Sequence, residues 1–281
     1  LKNMDDRMHP FVGVSRDREE WFEDLDVKVY GRGDQADTLF WVGCAGSMVD
    51  RNIEVSRAMV KVLDAAGVDF ALLGAEEVCT GDPARRVGGE LTYQMCAKQN
   101  IETFSRYGIK KIVTTCPHCM NTLKNEYSDY VGDTGLELEV VHHSELISQL
   151  IHEGRLAPSK SVDSITYHDP CYLGRHNGVY EAPREVVESV SSKGAFVELA
   201  KNRSNSHCCG SGGGYAFMDD KPPKRINHER FEQIQGCGAT TAALSCPFCM
   251  QMFGDAGSAL DPDGTVRIAD IAELVAESLE A

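Results

Sequence analysis

The chain has 281 residues, 42% of them apolar and 25% charged, a balance that suits one or two folded domains and excludes disorder as the main state. Forty-three Asp and Glu against 28 Lys and Arg give a formal net charge of −15, which argues against a partner that needs a basic face, whether nucleic acid or anionic lipid. No uninterrupted apolar run reaches the ~18 residues that a membrane span needs. The best stretch, 58–75, is broken by Lys61, Asp64 and Asp69.

In chain order, residues 1–36 read as an N-terminal extension. The run 38–42 is an apolar strand leading to Cys44. Ile53, Val55, Ala58, Met59, Val62 and Leu63 share one face of a helix predicted over 53–65. A short apolar strand follows at 68–73, a helix at 90–107, and a strand at 110–115 that feeds Cys116. Residues 37–133 form the first domain on this reading. Residues 134–162 connect it to the next, with one strand and one helix within 134–156. The second domain, 163–281, runs through a strand at 164–168, a helix at 183–191, a strand at 195–199, a helix at 223–235 and a strand at 241–245. An amphipathic helix at 268–279 closes it. Strands alternating with helices predict α/β architecture with parallel sheets flanked by helices.

Eleven cysteines in a chain of this size, with no secretory signal visible, favour metal or redox chemistry over a disulfide framework. Their arrangement repeats. Cys116-Pro117-His118-Cys119-Met120 returns as Cys246-Pro247-Phe248-Cys249-Met250. Val78-Cys79-Thr80-Gly81 returns as His207-Cys208-Cys209-Gly210, and Val42-Gly43-Cys44 as Asp169-Pro170-Cys171. Three anchors in one order at near-constant spacing mark a duplicated domain with one cysteine set per copy. Cys44, Cys116, Cys171 and Cys246 each fall at the end of a predicted strand, which is where α/β folds bind ligands.

The first set is Cys44, Cys79, Cys116 and Cys119. The second is Cys171, Cys208, Cys209, Cys246 and Cys249, because Thr80 stands where the second copy has Cys209. Structural zinc usually takes two close cysteine pairs, whereas each set here has one close pair and ligands from distant loops. Five thiolates also exceed the tetrahedral need of zinc. The spacing therefore predicts iron–sulfur clusters, four-iron in kind, with the second expanded or opened. Gly81, Gly210 and the run Gly210-Ser211-Gly212-Gly213-Gly214 would let backbone approach such a group. The CPxC elbows should open helices, so that N-terminal N–H groups face the cluster sulfides.

These motifs, with Tyr167-His168-Asp169-Pro170-Cys171-Tyr172-Leu173-Gly174-Arg175, resemble the cysteine-rich CCG domain. That domain occurs twice in the catalytic subunit of heterodisulfide reductase and in related iron–sulfur subunits. Cys79-Thr80-Gly81-Asp82-Pro83-Ala84-Arg85-Arg86 and His9-Pro10-Phe11-Val12-Gly13 resemble a narrower group of membrane-associated oxidoreductases that take electrons from electron-transfer flavoprotein. The chain looks like the C-terminal half of such a protein, or a separately encoded half.

The resemblance implies two tandem CCG domains holding two iron–sulfur clusters of the [4Fe-4S] kind, the second of noncubane form. It implies electron transfer between a flavoprotein or ferredoxin-like partner and a quinone or other acceptor. The expected location is cytoplasmic, with membrane association through a partner or through sequence upstream of Leu1. Two alternatives stand beside this reading: a disulfide reductase acting at the second-domain cluster, and a structural zinc protein.

Several residues carry two readings. His207 is a candidate donor to cluster sulfide. His118 could be a ligand, but its counterpart Phe248 favours packing. His168 and Asp169 could relay protons, though a helix cap also explains Asp169. Arg85, Arg86 and Arg175 could offset cluster charge or pair with surface acids. His142 and His143 read as structural, pointing to opposite faces of a strand. Cys96 and Cys237 read as small buried hydrophobes.

Overall fold

The central strand of each half, Thr38–Trp41 and Thr241–Leu244, is buried along its length, as a parallel strand covered on both faces must be. The computed structural model describes residues 1–131, 135–218 and 222–280. They divide into two compact units, Leu1–His143 and Ser144–Ala281. The predicted boundary at 133/134 lies outside the described residues.

In the first unit five strands form one parallel sheet: β1 (Lys28–Val29), β2 (Thr38–Trp41), β3 (Phe70–Leu72), β4 (Lys111–Thr114) and β5 (Glu139–His142). Their order is β1-β3-β2-β4-β5. β2 is fully buried at the centre, with Leu39 opposite Ile112 and Trp41 opposite Thr114. β1 belongs to the predicted extension and β5 to the predicted connection, yet both pair within this sheet. Helices Asp50–Ala65 and Glu90–Tyr107 match the periodicity of their sequences.

In the second unit β6 (Ile165–Tyr167), β7 (Thr241–Leu244) and β8 (Arg267–Asp270) form a parallel sheet in that order. Helices Glu181–Val190, Pro247–Leu260 and Ile271–Glu280 accompany it.

The structure corrects three element expectations. The 195–199 run makes a single bridge to Ile165 through Phe196, not a strand. Toward the sheet its backbone bonds reach only Ile165, and Val197 is 39% exposed, so among the described residues nothing extends the ladder. The helix predicted from 223 starts at Ile226. The closing helix predicted from 268 is preceded by β8 and begins at Ile271. There Asp270 accepts from Ala272 N at 2.9 Å while Glu273 accepts from Asp270 N at 2.8 Å, a capping-box exchange that separates strand from helix. No helix among the described residues is long and apolar enough to cross a membrane.

Candidate metal centres

Each cysteine set gathers at the C-terminal end of its parallel sheet. In the first unit Cys44 lies in the helix Gly43–Met48 that follows β2. Cys116, just beyond β4, caps the helix Pro117–Asn121, and its Sγ accepts from Cys119 N at 3.5 Å. Proline suits this first helical position because its missing N–H would have no helical partner. Cys79 sits in the loop before Gly81, and its Sγ lies 3.8 Å from Cys44 Sγ. All four thiols are buried.

The loops that carry them are held from several directions. Glu77 accepts from Val42 N at 3.0 Å and Gly43 N at 2.8 Å, and pairs with Arg18 at 2.8 Å. One carboxylate thus ties the Cys44 loop, the Cys79 loop and the N-terminal segment together. Burial pushes this carboxyl up, against the pull of Arg18 and the two N–H groups. Cys79 N donates to Met8 O at 2.9 Å. Asn100 donates to Cys79 O at 3.2 Å, and Tyr127 donates to Thr80 O at 3.0 Å. Gly81 adopts φ +87°, and a Cβ there would meet the Tyr93 backbone at 3.0 Å. Thr80 is buried, and its Oγ1 has no hydrogen-bond partner among the described residues.

In the second unit thiol contacts run without a gap through Cys171, Cys208, Cys209, Cys249 and Cys246. Cys246 occupies the N-cap position of the helix Pro247–Leu260 after β7. Gly210, at φ +90°, donates its N–H to Cys208 Sγ at 3.2 Å. Cys209, Cys246 and Cys249 are buried; Cys171 and Cys208 are partly exposed.

All eleven cysteines are unbridged. Packed thiols cannot all ionise without a compensating cation, because each thiolate repels the next. The contact with Cys44, then burial, drives Cys79 well up, and Cys116 with burial does the same to Cys119. In the second set the contact with Cys208, then burial, drives Cys171 up. Cys208 is driven down, first by Cys171, then by Cys209. Soft sulfur donors in this density, unbridged and largely dry, fit a thiophilic metal group of several positive charges.

The other candidates fall as follows. His168 Nε2 lies 3.5 Å from Cys249 Sγ and its Nδ1 3.1 Å from Arg230 Nε. Burial, then Arg230, pulls the His168 pKa well below the ordinary value. Asp169 accepts from both terminal nitrogens of buried Arg184, at 2.8 and 3.0 Å, and from the Arg203 N–H at 2.7 Å. Its capping is therefore remote, applied to the 3-10 turn Arg203–Asn205. His207 uses Nδ1 against Cys208 O at 3.1 Å and Nε2 against Glu229 at 3.2 Å, so both nitrogens have partners other than a thiol.

His118 does more than pack: its Nδ1 meets Asp82 at 3.2 Å, and Asp82 also pairs with Arg86 at 2.9 Å. Burial raises the Asp82 pKa, but His118 and Arg86 outweigh it and hold the carboxyl below its ordinary value. Arg85 reaches Glu126 at 2.8 Å, and Arg175 donates to Ser206 O at 2.6 Å. His142 and His143 are both buried, with rings 4.4 Å apart, because the strand ends between them; the expectation of opposite faces fails. Cys96 is fully buried, and burial pushes its thiol up to about 12. Cys237 is only partly buried and donates to Ile234 O at 3.0 Å. The sequence reading missed Arg18, Glu77, Arg184 and Arg230, whose partners come from distant parts of the chain.

Two α/β units with a thiol set at each sheet edge define a duplicated cysteine-rich metal protein. The family model for the cysteine-rich domain, CCG, matches residues 38–124 and 165–254, and the chain belongs to that family. It is 37% identical to "EtfAB:quinone oxidoreductase" of Syntrophomonas wolfei over 99% of this chain and 40% of that protein. It is 38% identical to the Bacillus subtilis protein named "Probable iron-sulfur-binding oxidoreductase FadF", over 95% of this chain and 38% of that one. It is 32% identical to one of the polypeptides of "Dihydromethanophenazine:CoB--CoM heterodisulfide reductase" of Methanosarcina barkeri, over 96% of this chain and 65% of that one. The chain thus spans about two fifths of the first two relatives.

Proposed function

We propose that this chain is the iron–sulfur electron-transfer part of a heterodisulfide-reductase-like oxidoreductase. Cys44, Cys79, Cys116 and Cys119 would hold one four-iron cluster. Cys171, Cys208, Cys209, Cys246 and Cys249 would hold a second, of open, noncubane form. Thr80 makes the first set a four-thiolate site. The observation that carries this reading is the pair of unbridged thiol sets, each gathered at the C-terminal edge of its own parallel sheet. Such clusters, when bound, exchange single electrons at potentials set by hydrogen bonds, charge and solvent. The chain's own residues gather the thiols, keep most of them dry and aim backbone N–H groups such as Gly210 N at sulfur.

The relatives' names support a redox partner of the electron-transfer-flavoprotein, flavoprotein or ferredoxin kind, and a quinone or related acceptor. Membrane association would come through a partner or through further sequence of a longer protein. Cys116→Ser and Cys246→Ser, each loaded anaerobically with iron and sulfide, should each lose about one cluster's iron, roughly four atoms, and keep the rest. Full iron in either variant overturns the ligand assignment.

A second reading is favoured by one observation. Cys171 and Cys208 are partly exposed, whereas the first set is buried throughout, so the second site is open to a small substrate. If Cys209→Ser keeps electron transfer and loses disulfide turnover, catalysis at the second cluster is the function.

A further inference from the structure

Resting on the proposed cluster sites, we infer that His168, facing Cys249, and Trp41, beside Cys119, are N–H donors to the two clusters, tuning the cluster potentials rather than ligating iron.

In the second unit the proton count decides the role of His168. Its Nδ1 faces Arg230 Nε at 3.1 Å, and a guanidinium can only donate. Nδ1 must therefore accept, which places the neutral ring's single proton on Nε2. That atom lies 3.5 Å from Cys249 Sγ. The ring is held edge-on to Phe253 with centroids 4.8 Å apart, so its direction is fixed by packing. By distance alone His168, Cys209 and Cys249 could share one metal ion, their ligand atoms lying within 4.8 Å of one another. A ligating Nε2 would leave the proton on Nδ1, to be given to an acceptor. Nδ1 meets an obligate donor instead, so the geometry selects N–H···S over ligation.

The first unit keeps a buried N–H donor, unpartnered among the described residues, beside the corresponding cysteine. Trp41 precedes Cys44 by the interval at which His168 precedes Cys171, and Cys119 corresponds to Cys249. The Trp41 ring is fully buried, and its Nε1–H has no hydrogen-bond partner among the described residues. A Cβ placed on Gly43 would lie 3.3 Å from Cys119 Sγ and 3.8 Å from Trp41 Nε1, so these two atoms flank one point. Gly43, at φ +75°, leaves that point clear. Indole can donate and cannot ligate a metal. Donation is thus the one role that both residues can share.

A donor aimed at a cluster thiolate stabilises the more negative, reduced form and raises the potential. The test uses the full chain, loaded anaerobically with iron and sulfide, in a redox titration followed by paramagnetic resonance. His168→Leu should keep the wild-type iron content and shift one cluster's midpoint to lower potential, leaving the other in place. His168→Gln, which restores an N–H, should recover part of that shift. Trp41→Phe should lower the other midpoint alone, and it carries the test if His168→Leu does not fold. Loss of iron in both His168→Leu and His168→Gln would make His168 a ligand and overturn the inference. Retained iron with unmoved midpoints in His168→Leu and Trp41→Phe would overturn it too, while leaving the cluster reading intact. A wild-type chain that binds no iron overturns the cluster reading itself.

Discussion

Gly81 shows how closely the first thiol set is built. Its backbone is left-handed, at φ +87°, and a side chain there would strike Tyr93. Gly178 also has a left-handed backbone, at φ +72°, but nothing lies within 4 Å of the space a Cβ would take. Gly178→Ala should therefore cost about 1–2 kcal/mol, the strain of that conformation alone. Gly81→Ala should cost more and disturb the Cys79 loop. Denaturant unfolding of the two variants checks this, and equal losses would contradict it. Residues of this kind were legible in the sequence, since a glycine at the same place in each cysteine loop, Gly81 and Gly210, announces close backbone approach. The thiol sets were legible for the same reason, because their spacing repeats. The hydrogen-bond partners of His168 and His207 were not, because Arg230 and Glu229 lie far along the chain and their approach depends on how the helix Ile226–Gly236 packs.

At the scale of elements, the N-terminal segment is fastened to the first metal centre by Arg18 and Glu77. Both side chains are almost completely buried, at 2% and 3% exposure. Removing one partner of a buried pair leaves the other charge without compensation and typically costs about 3–5 kcal/mol. Arg18→Met should lose about that much, and the Arg18→Met, Glu77→Gln double variant should lose less than the sum of the two singles. Additive losses in denaturant unfolding would show that the pair is not coupled. The helices Asp50–Ala65 and Glu90–Tyr107 and strands β2, β4 and β7 were legible from apolar periodicity. β8 was not separated from the helix after it, because Ile268, Ala269, Ile271 and Ala272 flank a single polar residue, Asp270, and fit one apolar helix face. The Asp270–Glu273 spacing held the missing signal. The 195–199 run has strand composition without a second neighbour to pair with, and composition alone cannot supply one.

For the molecule as a whole, duplication is the central fact. Both units carry cysteines on the same loops of a parallel sheet, and they differ where Thr80 replaces a cysteine and Trp41 replaces a histidine. The first site is a dry four-thiol set and the second a five-thiol set open in part to solvent. On the proposed function, each set holds an iron–sulfur cluster. The most direct test of this is the iron, sulfide and zinc content of anaerobically purified and reconstituted protein, read with its visible and paramagnetic resonance spectra. About eight irons with matching sulfide and broad visible absorption are expected. A colourless protein with about two zinc ions and no sulfide, even after reconstitution, would contradict the proposal.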